Sequence, residues 1–211
     1  MVLLGRSLVV RLALLVLLVS GCQKGTKEKS SVTVSAPEID AKKELPFLME
    51  VPDFELETHD GKVVTRKTME GEVWLASFVF TRCQTVCPGI SAKMKAVESL
   101  SSKSAKALKI VTITVDPEYD TGAVLAEYAK RLDADLDRWQ FWTGPRDEVE
   151  GLVTHGMKQL MIPRPQKPGE PMDIMHGGDL MLVDRKGQVR GRYKYRKIDT
   201  QELMQNIRTL L

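Results

Sequence analysis

Apolar positions along this chain fall into short runs whose period switches between two and about three and a half, and the switches mark the elements. Val51-Pro52-Asp53-Phe54-Glu55-Leu56 alternates as a strand does, His59-Asp60-Gly61-Lys62 supplies turn residues, and Val63-Val64 returns, so the pattern predicts an N-terminal β-hairpin. Val73 to Phe80 is an apolar run of the kind covered on both faces, which predicts a central strand. Ile90, Met94, Val97 and Leu100 recur at helical spacing, with Pro88 tolerable only near that helix's start. Lys109 to Val115 reads as a second buried strand, Thr121 to Leu132 as a helix, Trp139 to Trp142 as a short strand and Arg146 to His155 as another helix. Met161 to Pro171 is rich in proline and predicts an irregular insertion. Asp179 to Val183 and Gln188 to Tyr195 then form a late hairpin around Asp184-Arg185-Lys186-Gly187, and Thr200 to Leu211 closes the chain as an amphipathic helix. This order implies an α/β fold, a mixed sheet with flanking helices.

The first 21 residues stand outside this pattern. Arg6 and Arg11 flank an apolar run, Leu12 to Val19, too short to span a bilayer comfortably and ending at Ser20-Gly21-Cys22. Leu18-Val19-Ser20-Gly21-Cys22 resembles the lipobox of a bacterial lipoprotein signal, which implies cleavage before Cys22 and lipidation of that cysteine. Residues 22–44 are polar, lack aromatic side chains and predict a flexible tether, leaving 45–211 as the single folded domain. The expected setting is extracytoplasmic, on the periplasmic side, held to the membrane by the lipid. Of the formal charge of +3, Arg6 and Arg11 supply two, so the mature chain is close to neutral and nothing points to nucleic acid.

Setting Cys22 aside leaves one cysteine pair, Cys83 and Cys87, in a compartment that permits disulfides. Cys83-Gln84-Thr85-Val86-Cys87-Pro88 lies between a buried strand and a helix, at the sheet edge where α/β proteins place ligands. Residues i and i+4 on one helical turn have Cβ atoms ~5–6 Å apart, suited to a disulfide or a shared metal. Helix N–H groups there are expected to favour thiolate over thiol. A purely structural disulfide closing so small a loop adds little stability. Two thiolates alone leave a transition-metal ion under-coordinated, and histidine is the natural third donor. His59 in a hairpin turn and His155 at a helix end read as solvated surface residues, whereas His176 precedes the strand Asp179–Val183. Asp116 and Asp120 read as turn or capping residues, and Met172, Met175 and Met181 as packing, with a soft auxiliary role toward a metal ion the sharper alternative.

Val51-Pro52-Asp53-Phe54, Thr81-Arg82-Cys83 through Cys87-Pro88, Val115-Asp116-Pro117-Glu118 with Asp120, Trp139 to Gly144, and His176 before Leu182-Val183-Asp184 together resemble the Sco/SenC family. These are thioredoxin-like, copper-binding proteins associated with cytochrome c oxidase assembly. The resemblance implies that Cys83, Cys87 and His176 bind one copper ion, that Cys83 and Cys87 form a redox-active disulfide, and that the His176 loop lies beside the cysteines. It also implies a copper metallochaperone whose partner is the oxidase subunit carrying the binuclear copper centre. The alternative is a thiol-disulfide oxidoreductase that reduces that subunit's cysteines. Three residues between the cysteines, and no proline between His176 and Val183, favour the metal. A peroxide-reducing relative fits a local cysteine pair least well. The chain departs from the family in Gly177-Gly178, where Ser or Thr commonly follows the histidine.

Overall fold

The computed structural model describes residues 44–163 and 174–211, without the side chains of 163 and 174–176. The signal segment, Cys22, the tether up to residue 43, and Met172 with most of the insertion lie outside the described residues.

Eight strands form one sheet in the order β1 (Met49–Glu50), β10 (Gln188–Lys194), β9 (Asp179–Val183), β4 (Val73–Val79), β5 (Leu108–Thr114), β6 (Trp139–Thr143), β2 (Glu55–Thr58), β3 (Val63–Thr65). Its centre is the pair the apolar runs predict: β4 (Val73–Val79) and β5 (Leu108–Thr114) are parallel, Val73 facing Leu108 and Val79 facing Thr114. Every residue of β4 is buried, so both faces of the sheet centre are covered. β6 (Trp139–Thr143) continues the parallel set, with Trp142 opposite Ile113. Trp74, Trp139 and Trp142 all sit in the core, and Trp139 Nε1 donates to Thr112 Oγ1 at 2.8 Å.

On one edge β2 (Glu55–Thr58) and β3 (Val63–Thr65) make the expected hairpin. The first strand begins later than the alternation predicts, because Pro52 brings no N–H to a ladder. The residues before it form instead β1 (Met49–Glu50), which pairs with β10 (Gln188–Lys194) at the opposite edge. β10 in turn pairs with β9 (Asp179–Val183), and β9 runs antiparallel to β4.

Helix α1 (Cys87–Ser104) connects β4 to β5 and begins three residues earlier than the apolar spacing predicts. Its inward stripe is Cys87, Ile90, Ser91, Met94, Val97, Glu98 and Ser101, while Leu100 is exposed. Helix α2 (Gly122–Arg131) follows β5 and is capped by Thr121, whose hydroxyl accepts from Val124 N. A 2.7 Å hydrogen bond between Ser91 Oγ and Tyr128 Oη ties α2 to α1. Helix α3 (Arg146–Glu150) does not continue to His155 as an α-helix; Gly151–Gly156 opens into a π turn. Gly156 closes that turn on Pro52, whose ring stands 2.6 Å from where a Cβ would be. Helix α4 (Thr200–Leu210) is capped by Asp199, which accepts from Gln201 N and Glu202 N.

The proline-rich insertion is not wholly irregular. Its first residues pair with a segment beyond its end as a two-stranded antiparallel ribbon, β7 (Met161–Pro163) with β8 (Ile174–His176), Met161 facing His176. Pro163 ends its strand, a position where a missing N–H costs little.

Candidate metal centre

β4 delivers the chain to the sheet's carboxyl edge, where Phe80 is still buried, and Cys83 N donates back to Phe80 O at 3.1 Å to turn it. The next four residues bring Cys87 to the first turn of α1, with Pro88 behind it. Cys87 N donates to Cys83 Sγ at 3.4 Å, so the first sulfur occupies the position of a helix-capping acceptor. Both cysteines are thiols; Cys83 is half-buried and Cys87 is fully buried. Hydrogen bonding to Cys83 and then burial push the Cys87 thiol well above its ordinary range, with a backbone hydrogen bond from Phe80 opposing them. Burial and the neighbouring sulfur thus outweigh the helix start and favour the protonated form of Cys87.

Two aspartates hold this turn from the β5–α2 connection. Asp120, fully buried, accepts from Thr81 N at 3.0 Å, from Thr81 Oγ1 at 2.5 Å and from Thr114 Oγ1 at 2.6 Å. Burial raises its carboxyl above the usual range even though those bonds pull the other way. Asp116 receives Arg82 Nη2 at 2.6 Å, and the same guanidinium stacks 4.0 Å from the centre of the Tyr119 ring. Neither aspartate caps α2; that role belongs to Thr121. Together Thr81 and Arg82, which directly precede Cys83, are anchored to residues 114–120. The Asp-Pro turn after a buried strand is visible in the sequence, but its partners are not.

His176 is the last residue of β8, in a ribbon where a loop was expected. Its side chain lies outside the description, but its backbone path is fixed by Gly177 N donating to Leu160 O at 3.0 Å. The two glycines that follow sit against large neighbours. A Cβ on Gly177 would fall 2.3 Å from Gln159 Oε1, and one on Gly178 would fall 2.7 Å from Tyr195 Cδ1 and 3.8 Å from Ile90 Cδ1. Tyr195 also packs against Gly89, two residues beyond Cys87. The segment after His176 thus reaches the first turns of the cysteine helix.

The remaining histidines lie elsewhere. His59 is not the solvated turn residue expected: it is half-buried, its ring edge-on to Phe141 and its N donating to Phe141 O at 2.7 Å. His155 is exposed and lines a cavity of about 440 Å³ with Glu50, Asp53 and Asp147. Met181 is buried in β9 and packs in the core. Among the described residues no three His, Cys, Asp or Glu side chains are grouped so as to hold a metal ion.

A sequence profile of the SCO1/SenC family matches residues 43–211. The chain belongs to the SCO1/SenC family. It is 32% identical over 145 residues to the SCO1 protein homolog of Bacillus subtilis, a match covering 68% of this chain and 73% of that one. Among solved structures it is similar to Bradyrhizobium japonicum ScoI with copper bound, at a TM-score of 0.68 and 26% identity over 78% of this chain and all of that one. It is also similar to BsSco, a member of the Sco family of cytochrome c oxidase assembly proteins in which a disulfide switch was identified. There the TM-score is 0.68 and the identity 28%, over 80% of this chain and 96% of the other. The fold is the thioredoxin-like one of the Sco proteins, with the N-terminal hairpin and the insertion built onto it.

Proposed function

We propose that this protein is a copper chaperone that holds one copper ion through Cys83, Cys87 and His176 and passes it to the oxidase subunit carrying the binuclear copper centre. The observation that carries this reading is the sulfur pair itself: two thiols at one helix start, bridged by Cys87 N and Cys83 Sγ at 3.4 Å. Soft thiolates suit copper(I), and an imidazole from a separate ribbon completes a set suited to copper(II). The copper-bound ScoI relative supports the choice of ion, and the assembly role named for BsSco supports the destination.

The donors divide the work of binding and release. Cys87 stands at the start of α1 and Cys83 in the turn before it, a turn braced by Asp116 and Asp120, and the pair holds the ion in either oxidation state. His176 comes from β8, outside the main sheet, so its withdrawal leaves a weaker dithiolate site from which the cargo can leave. Loading removes the proton from Cys87, since a metal-bound thiol is deprotonated. Lipidation at Cys22, with residues 22–44 as a tether, would keep this exchange at the outer face of the membrane where the target subunit lies.

A specific asymmetry favours a second reading, the thiol-disulfide oxidoreductase. Cys83 is half-buried, whereas Cys87 is fully buried with its thiol pushed up. In that chemistry the Cys83 thiolate attacks a target disulfide and displaces one target sulfur. Cys87 then loses its proton, attacks Cys83 in the mixed disulfide and releases the reduced target, leaving the Cys83–Cys87 disulfide behind. Copper titration of the reduced and the oxidised protein separates the two. The chaperone reading expects one copper bound by the dithiol form and none by the disulfide form. A protein that binds no copper in either state but reduces a disulfide substrate belongs to the second reading.

A further inference from the structure

Gln159 is an unusual occupant of a core position. Lys158 before it and Leu160 after it are exposed, yet Gln159 is 1% exposed. Lys158 takes a left-handed backbone conformation, with φ of 51°, and Gln159 N then donates to Val153 O at 2.9 Å. That turn drives the carboxamide inward, at the strain a non-glycine residue bears there.

Inside, the two ends of the carboxamide face different parts of the molecule. Its nitrogen lies 3.5 Å from Met157 O and 3.7 Å from Sδ of Met181, a buried residue of β9 paired with Ala76 of β4. Its oxygen is buried without a hydrogen-bond partner and stands where a side chain of residue 177 would begin. An apolar residue of similar volume would fill this space without stranding an acceptor. Gly177 is the residue next to His176, and Leu160, which follows Gln159, accepts from Gly177 N.

We infer that Gln159 is a positioning residue for His176, a spacer that sets the distance between the central sheet and the segment carrying the histidine. This rests on the proposed reading of His176 as a copper donor. The glycine at 177 is the other half of the device: the carboxamide takes the volume that any side chain there would need. The Gly177-Gly178 pair, which departs from the family pattern, is therefore a packed segment, pressed by Gln159 on one residue and by Tyr195 on the next.

The experiment uses the full protein, reduced, in wild-type, Gln159→Ala, Gly177→Ala, Gln159→Ala/Gly177→Ala and His176→Ala forms. Copper(II) and copper(I) affinities and the thiolate-to-copper(II) absorption band are measured for each, with circular dichroism as the check on folding. Gln159→Ala should weaken copper(II) about 10-fold and move the band, as loss of a residue that orients a ligand does. Copper(I), held by the two thiols, should change by less than about 2-fold, which loss of fold would not spare. Gly177→Ala should behave alike, and the double variant should recover toward wild type, because the new methyl then has room. An unchanged band in Gln159→Ala, equal losses for both oxidation states, or additive losses in the double variant overturns the proposal. A band retained by His176→Ala overturns the donor reading, and this proposal with it; a band lost there but kept in Gln159→Ala rejects Gln159 alone.

Discussion

Asp120→Ala removes the carboxylate that ties the cysteine turn to the end of β5, and its cost can be worked out group by group. Thr81 N is a backbone donor that cannot turn away, and orphaning it costs ~1–3 kcal/mol. The hydroxyls of Thr81 and Thr114 can rotate to other acceptors, so each loses about 0.5–1 kcal/mol. Against this, burial already disfavours the Asp120 anion, and removing it returns part of the loss. The net expectation is about 2–3 kcal/mol, seen in urea as a midpoint lower by roughly 1 M at unchanged slope. Because the residues released directly precede Cys83, alkylation of Cys83 should also accelerate. Asp120→Asn, which keeps one acceptor oxygen, should lose about 1 kcal/mol. The pH dependence has a definite sign. The folded state holds the Asp120 proton more tightly than the unfolded chain does, so this group's contribution is fullest below the ordinary value of 3.8 and declines as pH rises through the raised one. The wild type's advantage over Asp120→Asn should therefore shrink across that interval. A midpoint shift for Asp120→Ala equivalent to less than about 0.5 kcal/mol, as for a surface substitution, refutes the bracing role.

Three further outcomes are expected. Copper affinity should rise with pH, with proton release on loading, because hydrogen bonding to Cys83 and burial push the Cys87 thiol well above its ordinary range; isothermal titration in buffers of different ionisation heat measures it, and a pH-independent affinity contradicts it. Alkylation of the reduced protein followed by peptide mapping should label half-buried Cys83 well before buried Cys87, and equal rates would contradict the asymmetry. Cys22→Ser should abolish lipid labelling and signal processing, whereas an intact Met1 on the mature wild-type protein, read by mass spectrometry, removes the lipoprotein proposal.

The elements most legible in the sequence are those whose signal is local. β4 and β5 announce themselves because burial on both faces demands a predominantly apolar run, and α2 because Thr121 supplies its own cap. The cysteine motif is legible for the same reason: both sulfurs lie within one turn. What escaped depends on side chains meeting across long stretches of chain. Asp120 reaches back 39 residues to Thr81, so the sequence offers a turn residue where the fold makes a brace. Gln159 looks like an ordinary surface glutamine until Lys158 turns it inward. The ribbon β7–β8 hid behind its prolines, since three-residue strands carry too few positions to display alternation. His59 was misplaced because the hairpin turn folds back onto Phe141.

The central claim is that Cys83, Cys87 and His176 form one copper site. The most direct measurement is the thiolate-to-copper(II) absorption band of the reduced protein, compared between wild type and His176→Ala. One copper(II) per chain with a strong band in wild type, lost in His176→Ala while copper(I) is retained at weaker affinity, is the predicted result. An unchanged band in His176→Ala, with the band lost instead in His59→Ala or His155→Ala, would contradict the account.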